Sequence, residues 1–155
     1  MWRRDLAAIV LLILAAWGKG LPPDKLVQGG YDQKELEVAT ARARQESRKF
    51  IGLMMERQGE DFVVKARIQD SNGTEHFWLE NIRYVDGEFS GVISNEPGIV
   101  KNVRVGQSCK IKESDIEDWM FRRDGKIHGN YTMRPLVKSM PPEEAARYRE
   151  LLAEP

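Results

Sequence analysis

From Asp32 onward the chain is built on two apolar periods. Leu36, Ala39, Ala43, Phe50, Leu53 and Met54 recur at spacings of three, four and seven. That is one apolar stripe on a helix whose other face carries Lys, Arg and Glu. Asp32 suits the N-cap, Glu35 stands where a capping box needs it, and Gly59 is a natural stop. The pattern predicts one long helix near 32–57. At Asp61 the period becomes two: Phe62, Val64, Ala66 and Ile68 share one face, and Val63, Lys65, Arg67 and Gln69 the other. Asn72-Gly73 predicts a tight turn into a returning strand at 74–85, and Asp86-Gly87 a second turn into 88–94. These three strands form an antiparallel meander.

The remainder reads as shorter pieces. Residues 98–106 are a loop or a single helical turn, 108–112 a short strand, and Ser114-Asp115 opens a helical turn. Strands at 119–122 and 126–128 flank an Asp124-Gly125 hairpin turn, and 131–137 is the last strand. Ser139 then caps a terminal helix led by Pro141-Pro142, with Ala145, Tyr148 and Leu152 facing inward. The expected fold class is α+β. A long N-terminal helix packs on a twisted antiparallel sheet of five or six strands, followed by a short C-terminal helix. Its expected core includes Phe50, Leu53, Phe62, Val64, Ile68, Phe77, Leu79, Phe89, Ile111 and Trp119.

The first twenty residues fit neither period. After Met1-Trp2-Arg3-Arg4-Asp5 comes an unbroken apolar run from Leu6 to Trp17. As a helix it would be about 18 Å long, against a hydrocarbon core of roughly 30 Å. It is therefore short for a membrane span and suits the apolar core of an export signal. Small residues place cleavage before Lys19, or before Leu21 as the second site. Leu14-Ala15-Ala16 leads in as a bacterial lipoprotein signal does, but Trp17 occupies the position of the lipidated cysteine, so no thioether can form. The reading is an exported protein, periplasmic or secreted. An uncleaved inner-membrane anchor is the alternative, and a buried helix of a cytosolic protein the third. Residues 21–30, with Pro22-Pro23 and Gly29-Gly30, form a linker, and 31–155 a single α+β domain.

Charge narrows the partners. The 155 residues hold 24 Lys+Arg and 24 Asp+Glu. Removing Arg3, Arg4, Lys19 and Asp5 with the first twenty residues leaves 21 basic and 23 acidic residues, a net of −2. A near-neutral chain with scattered basic residues lacks the field that nucleic acid selects, so no nucleic-acid partner is expected. The lone cysteine, Cys109, forbids an internal disulfide and reads as a small hydrophobe. His76 and His128 stand alone, so no metal and no cofactor are expected.

Four blocks carry the candidate chemistry: Glu75-His76-Phe77-Trp78-Leu79, Ser94-Asn95-Glu96-Pro97-Gly98, Asp115-Ile116-Glu117-Asp118-Trp119-Met120 and Gly129-Asn130-Tyr131-Thr132-Met133-Arg134. In that order they resemble the bacterial domain of unknown function 2314, the YegJ-like family. The likeness begins near Phe50 and covers roughly two thirds of the chain. The resemblance implies a fold and a bacterial setting, with no assigned reaction.

Read from the residues, His76 and Trp78 project from one strand face while Phe77 and Leu79 point into the core. An imidazole beside an indole suits a partner platform; a covering helix or loop is the competing account. The 95–98 loop suits a turn or a ligand contact, and Asp118 a local pair with Arg122 or Arg134. His76 with Glu96 or Asp118 can be drawn as a general-base dyad, with Ser90 or Ser94 as nucleophile, but nothing in the spacing favours it. The expectation is a non-catalytic binding module for another protein, a peptide or a glycan of the cell envelope, its site made by His76, Trp78, Glu96, Asn130 and Arg134. Membrane contact would come only through residues 1–20 if they are retained. The alternatives are a hydrolase-type enzyme centred on His76 and an immunity-type protein that blocks a toxin.

Overall fold

The structure, a computed structural model, describes residues 30–155 and, before them, only two short strands. These are β1 (Ile9–Leu11) and β2 (Lys25–Val27), paired antiparallel. The expected export segment and linker otherwise lie outside the described residues.

The first helical region begins as its sequence predicts. Asp32 caps α1 (Gln33–Gln45), its carboxylate accepting the Lys34 and Glu35 amides at 2.8 and 3.2 Å. The expected capping box does not close, because the Glu35 carboxylate takes the Lys138 ammonium at 2.7 Å instead. Nor is there one long helix over 32–57. The chain breaks at Glu46 (φ −94°, ψ 6°) and resumes as α2 (Ser47–Met55). Both residues at the break are tied elsewhere: Glu46 accepts the Tyr131 hydroxyl at 2.5 Å, and Ser47 donates to Glu113 at 2.8 Å. The bend still lets Ala43 and Phe50 share one buried cluster. The stop falls at Arg57, not Gly59. Arg57 takes the left-handed conformation (φ 53°) while its amide and that of Gln58 bond back to Met54 and Leu53, a Schellman ending. Gly59 serves a close approach, since a Cβ there would lie 2.6 Å from the Phe121 ring.

Six antiparallel strands make the sheet. They are β3 (Glu60–Asp70), β4 (Gly73–Val85), β5 (Glu88–Ile93), β6 (Ser108–Lys112), β7 (Asp118–Arg123) and β8 (Lys126–Gly129), in the order β6-β5-β4-β3-β7-β8. Asp86 and Gly87 (φ 49° and 82°), like Asp124 and Gly125 (φ 53° and 72°), form two-residue turns with both φ positive. The β3–β4 loop is Ser71-Asn72, one residue earlier than expected, and the Asp70 carboxylate accepts the Asn72 amide at 2.7 Å. Glu113–Asp115 is a single 3-10 turn.

The expected strand over 131–137 is a helix, α3 (Met133–Val137). Tyr131, Met133, Pro135 and Val137 alternate, but the buried set Met133, Leu136 and Val137 has helical spacing and packs with Leu36, Ala145 and Tyr148. Gly129 and Asn130, both at positive φ, turn the chain off the sheet first. Ser139 does not cap the terminal helix, α4 (Pro142–Leu151): its hydroxyl donates to the Leu136 carbonyl, and Pro141 holds the N-cap position.

The main core lies between one sheet face and α1–α2. It buries Phe50, Val64, Phe77, Leu79, Phe89 and Trp119 completely or nearly so, with Leu53, Phe62, Ile68 and Ile111 packed partly buried around them. Cys109 sits half-buried at its margin, and burial raises its thiol pKa. The fold is α+β, with a six-stranded antiparallel sheet and short helices. The second sheet face is also covered: Val63, Trp78, Met120 and Ile127 pack against Leu151 and Leu152 at the end of α4.

Candidate functional site

The second face carries a polar row across three strands. β3 lies between β4 and β7, and Lys65 pairs with Trp78 on one side and Asp118 on the other. Strand parity places all three on the face opposite Val64, Leu79 and Trp119. Each is at least 95% buried, Asp118 fully. The Lys65 ammonium stands 4.6 Å from the centre of the Trp78 ring, donates to the Thr132 hydroxyl at 2.5 Å, and lies 3.9 Å from an Asp118 oxygen. Burial pushes Lys65 below the ordinary lysine range, opposed by the nearby Asp118 and Glu117 carboxylates.

Asp118 is the organising acceptor. Its carboxylate takes the amides of Trp119, Tyr131 and Thr132 at 2.9, 3.1 and 2.8 Å, and the Thr132 hydroxyl at 2.6 Å. Its partners are thus Lys65 and the 131–132 turn, not Arg122 or Arg134. With four donors on two oxygens, the carboxylate has little capacity left to take a substrate proton.

The expected site residues divide into three groups. Trp78 is in the row itself. Asn130 and Arg134 flank the turn that Asp118 holds: the Asn130 amide donates to the Trp119 carbonyl at 2.8 Å, and Arg134 Nη2 to the Gly129 and Ala153 carbonyls at 3.2 and 3.0 Å. His76 sits two pairings along the β3–β4 ladder, opposite Arg67, with Nε2 3.9 Å from a Glu117 oxygen. Its nearby carboxylate is therefore neither Glu96 nor Asp118. Glu96 is exposed, in a loop fastened to β4 on both sides of His76. Asn95 Oδ1 accepts the Trp78 amide at 3.0 Å, and Glu75 accepts the amides of Gly98, Ile99 and Val100.

Sequence reasoning missed Lys65, Thr132 and Glu75. A faint signal existed for Lys65: it shares the Trp78 strand face two residues from Val63, an apolar neighbour. Nothing local marks Thr132 as its partner, 67 residues away. Among the described residues, four buried donors of this region find no acceptor: Trp78 Nε1, Asn95 Nδ2, Asn130 Nδ2 and Arg134 Nε. No group of three His, Cys, Asp or Glu is placed among the described residues to hold a metal ion. No helix among them is long and apolar enough to cross a membrane.

Comparison with known proteins places this architecture. Residues 33–153 match the family model described as "Uncharacterized protein conserved in bacteria (DUF2314)". The chain is 46% identical over 150 residues to "Uncharacterized protein YegJ" of Escherichia coli, covering 97% of this chain and 98% of that one. It is also 37% identical over 81 residues to a putative ankyrin repeat protein of Neisseria meningitidis serogroup B, covering 52% of this chain but only 32% of that longer one. No solved structure matches. By the span of the family model and the near-complete overlap with YegJ, the chain belongs to the bacterial DUF2314 family.

Proposed function

We propose that this is an exported, non-catalytic binding module whose binding region comprises His76, Trp78, Glu96, Asn130 and Arg134, of which Glu96 and Arg134 reach the surface while His76, Trp78 and Asn130 lie buried behind them. Its partner is another protein, a peptide or a glycan of the cell envelope. The observation that carries this reading is the surplus of donors: Trp78 Nε1, Asn130 Nδ2 and Arg134 Nε, with the neighbouring Asn95 Nδ2, are buried without acceptors. A donor left unmade costs about 1–3 kcal/mol. Carbonyl, carboxylate or hydroxyl oxygens from a partner offset that cost once the covering segments shift to admit them, and peptides and glycans both supply such oxygens.

The engagement of Asp118 and Lys65 supports binding over catalysis, since neither is free to act as base or nucleophile. The hydrolase reading keeps only His76 and Glu117, at 3.9 Å. The partial match within a putative ankyrin repeat protein three times as long as the matched stretch supports a portable module. An immunity-type role is the variant in which the partner is a toxin. Export rests on the Arg3-Arg4 start, the apolar run to Trp17 and the small residues after it.

Two measurements test the proposal. Capture of partners from the periplasmic fraction of the native host should be lost in Arg134→Ala and Glu96→Ala variants that melt normally; capture unchanged in both removes the assigned face. N-terminal sequencing of the protein from its host should begin near Lys19 or Leu21. Intact Met1 in a cytosolic fraction would end the export reading.

A further inference from the structure

The two edges of the sheet are treated differently. At β8 the C-terminal tail closes the edge: Leu152 bridges parallel to Ile127, and the Ala153 amide donates to the Ile127 carbonyl at 2.8 Å. At the other edge, β6 pairs with β5 and with no further strand among the described residues. The flanking hydrogen bonds fix which β6 groups face outward. The Ile93 amide donates to the Gln107 carbonyl at one end of the pair, and the Glu113 amide to the Gly87 carbonyl at the other. In the register between them, Cys109 and Ile111 turn their backbone groups to β5, while Ser108, Lys110 and Lys112 turn theirs to the open edge.

Exposed cations stand on this strand and in the segment that leads to it. Residues 97–112 contain Lys101, Arg104, Lys110 and Lys112 and no acidic residue, in a chain whose net charge is +0. All four are exposed, and among the described residues none is within ion-pair distance of a carboxylate. Cys109 and Ile111 face the main core, so Lys110 and Lys112 stand on the second sheet face. Ser90, opposite Lys110, pairs on its other side with Arg83, an exposed cation on that face. Glu88, opposite Lys112, is the one acidic neighbour in these rows.

We propose that β6 is a docking edge for an extended acidic segment of a partner protein, which adds beside it as a seventh strand. The open amides and carbonyls of Ser108, Lys110 and Lys112 supply main-chain pairing, the mode by which sheets take up peptides. Acidic residues at every second position of the segment meet Lys110 and Lys112 across the new pair, and Arg83, two strands further in, adds to the positive field of that face. A second copy of this chain fits poorly, because pairing β6 with itself sets these lysines against one another. The surface is separate from the Trp78–Lys65–Asp118 row and does not depend on the role proposed for that row.

A fluorescent peptide of alternating glutamate and threonine, titrated into the full chain, tests the proposal, with a lysine–threonine peptide as control. Expected are saturable binding of the acidic peptide only, slowed hydrogen exchange at the amides of Ser108, Lys110 and Lys112, and at least about tenfold weaker binding by a Lys110→Glu/Lys112→Glu variant with an unchanged melting point. Several outcomes overturn it: no binding of the acidic peptide, equal binding of both peptides, binding without protection of β6, or self-association through β6. A single-stranded oligonucleotide or an anionic vesicle that showed the lysine dependence in place of the peptide would also overturn it.

Discussion

The ammonium of Lys65 lies 4.6 Å from the centre of the Trp78 ring, and both residues are sealed inside the second face of the sheet. A cation there is held by the negative face of an indole, by the Thr132 hydroxyl and by the nearby Asp118 carboxylate. Removing either end of this arrangement has unequal effects. Asp118→Ala strands a buried ammonium and releases the 131–132 turn, so it should cost about 3–5 kcal/mol. Lys65→Met removes the cost of burying the charge and fills similar volume, so it should change stability by less than about 1.5 kcal/mol. Urea unfolding of the two variants checks the asymmetry, and equal losses would refute it.

Lys65 also gives stability a pH dependence. Burial lowers its folded-state pKa, so the unfolded chain binds more protons in the window between that lowered value and the ordinary lysine pKa of about 10.4. Below the window both states are charged and the full penalty applies; above it both are neutral and the penalty is gone. Wild type should therefore gain stability relative to Lys65→Met as pH rises through the alkaline window. Parallel stability curves for the two proteins would show that Lys65 is not the source.

Tyr131 and Glu46 make a second, acid-sensitive link. The tyrosine hydroxyl donates to Glu46 at 2.5 Å, and this bond is the main cause lowering the Glu46 pKa. A depressed carboxylate contributes stability that is present above its unfolded value of about 4.3 and is lost as pH falls through the folded one. Tyr131→Phe should cost about 1 kcal/mol near neutrality and much less under acid. Thermal melts at both pH values measure the difference, and a constant difference would contradict the link.

Gly129 sets the geometry that brings the 130–134 segment to Asp118. It has φ +76°, and a Cβ there would stand 2.4 Å from the Trp119 carbonyl oxygen and 2.5 Å from its ring. Neither neighbour is a flexible side-chain end. Gly129→Ala should cost roughly 1–3 kcal/mol from overpacking alone, with backbone strain added. A melting point within about a degree of wild type would mean that the turn relaxes freely.

The sheet was legible because its signals are local. Asp86-Gly87 and Asp124-Gly125 hold both turns, and the alternation from Asp61 fixes which residues enter the core. What failed depended on distant partners. Glu46 and Ser47 look helical until Tyr131 and Glu113 bind them, 85 and 66 residues away. The 131–137 segment alternates like a strand until Asp118 gathers its first amides and Leu36 and Tyr148 bury its helical face. The candidate site shows the same division. The blocks around His76, Trp78 and Asn130 were visible, but Lys65 enters only through cross-strand pairing, and Glu96 points to solvent while Asn95 does the fastening.

Trp78 and Arg134 separate a structural role from a binding one. Trp78 is 1% exposed and packs with Val63, Met120 and Ile127, so Trp78→Ala should cost about 3–5 kcal/mol whether or not a partner binds nearby. Arg134 is half-buried and bonds the Gly129 and Ala153 carbonyls through one nitrogen, while its buried Nε has no acceptor. Arg134→Lys keeps the charge and one donor to those carbonyls but removes Nε and the planar fork. It should lower the melting point only slightly. If Arg134 Nε serves a partner, the same change should abolish capture from the periplasmic fraction, because an ammonium cannot present two fixed donors to one ligand. Capture that survives Arg134→Lys and fails only when the protein unfolds would leave the arginine as a strut for the C-terminal tail.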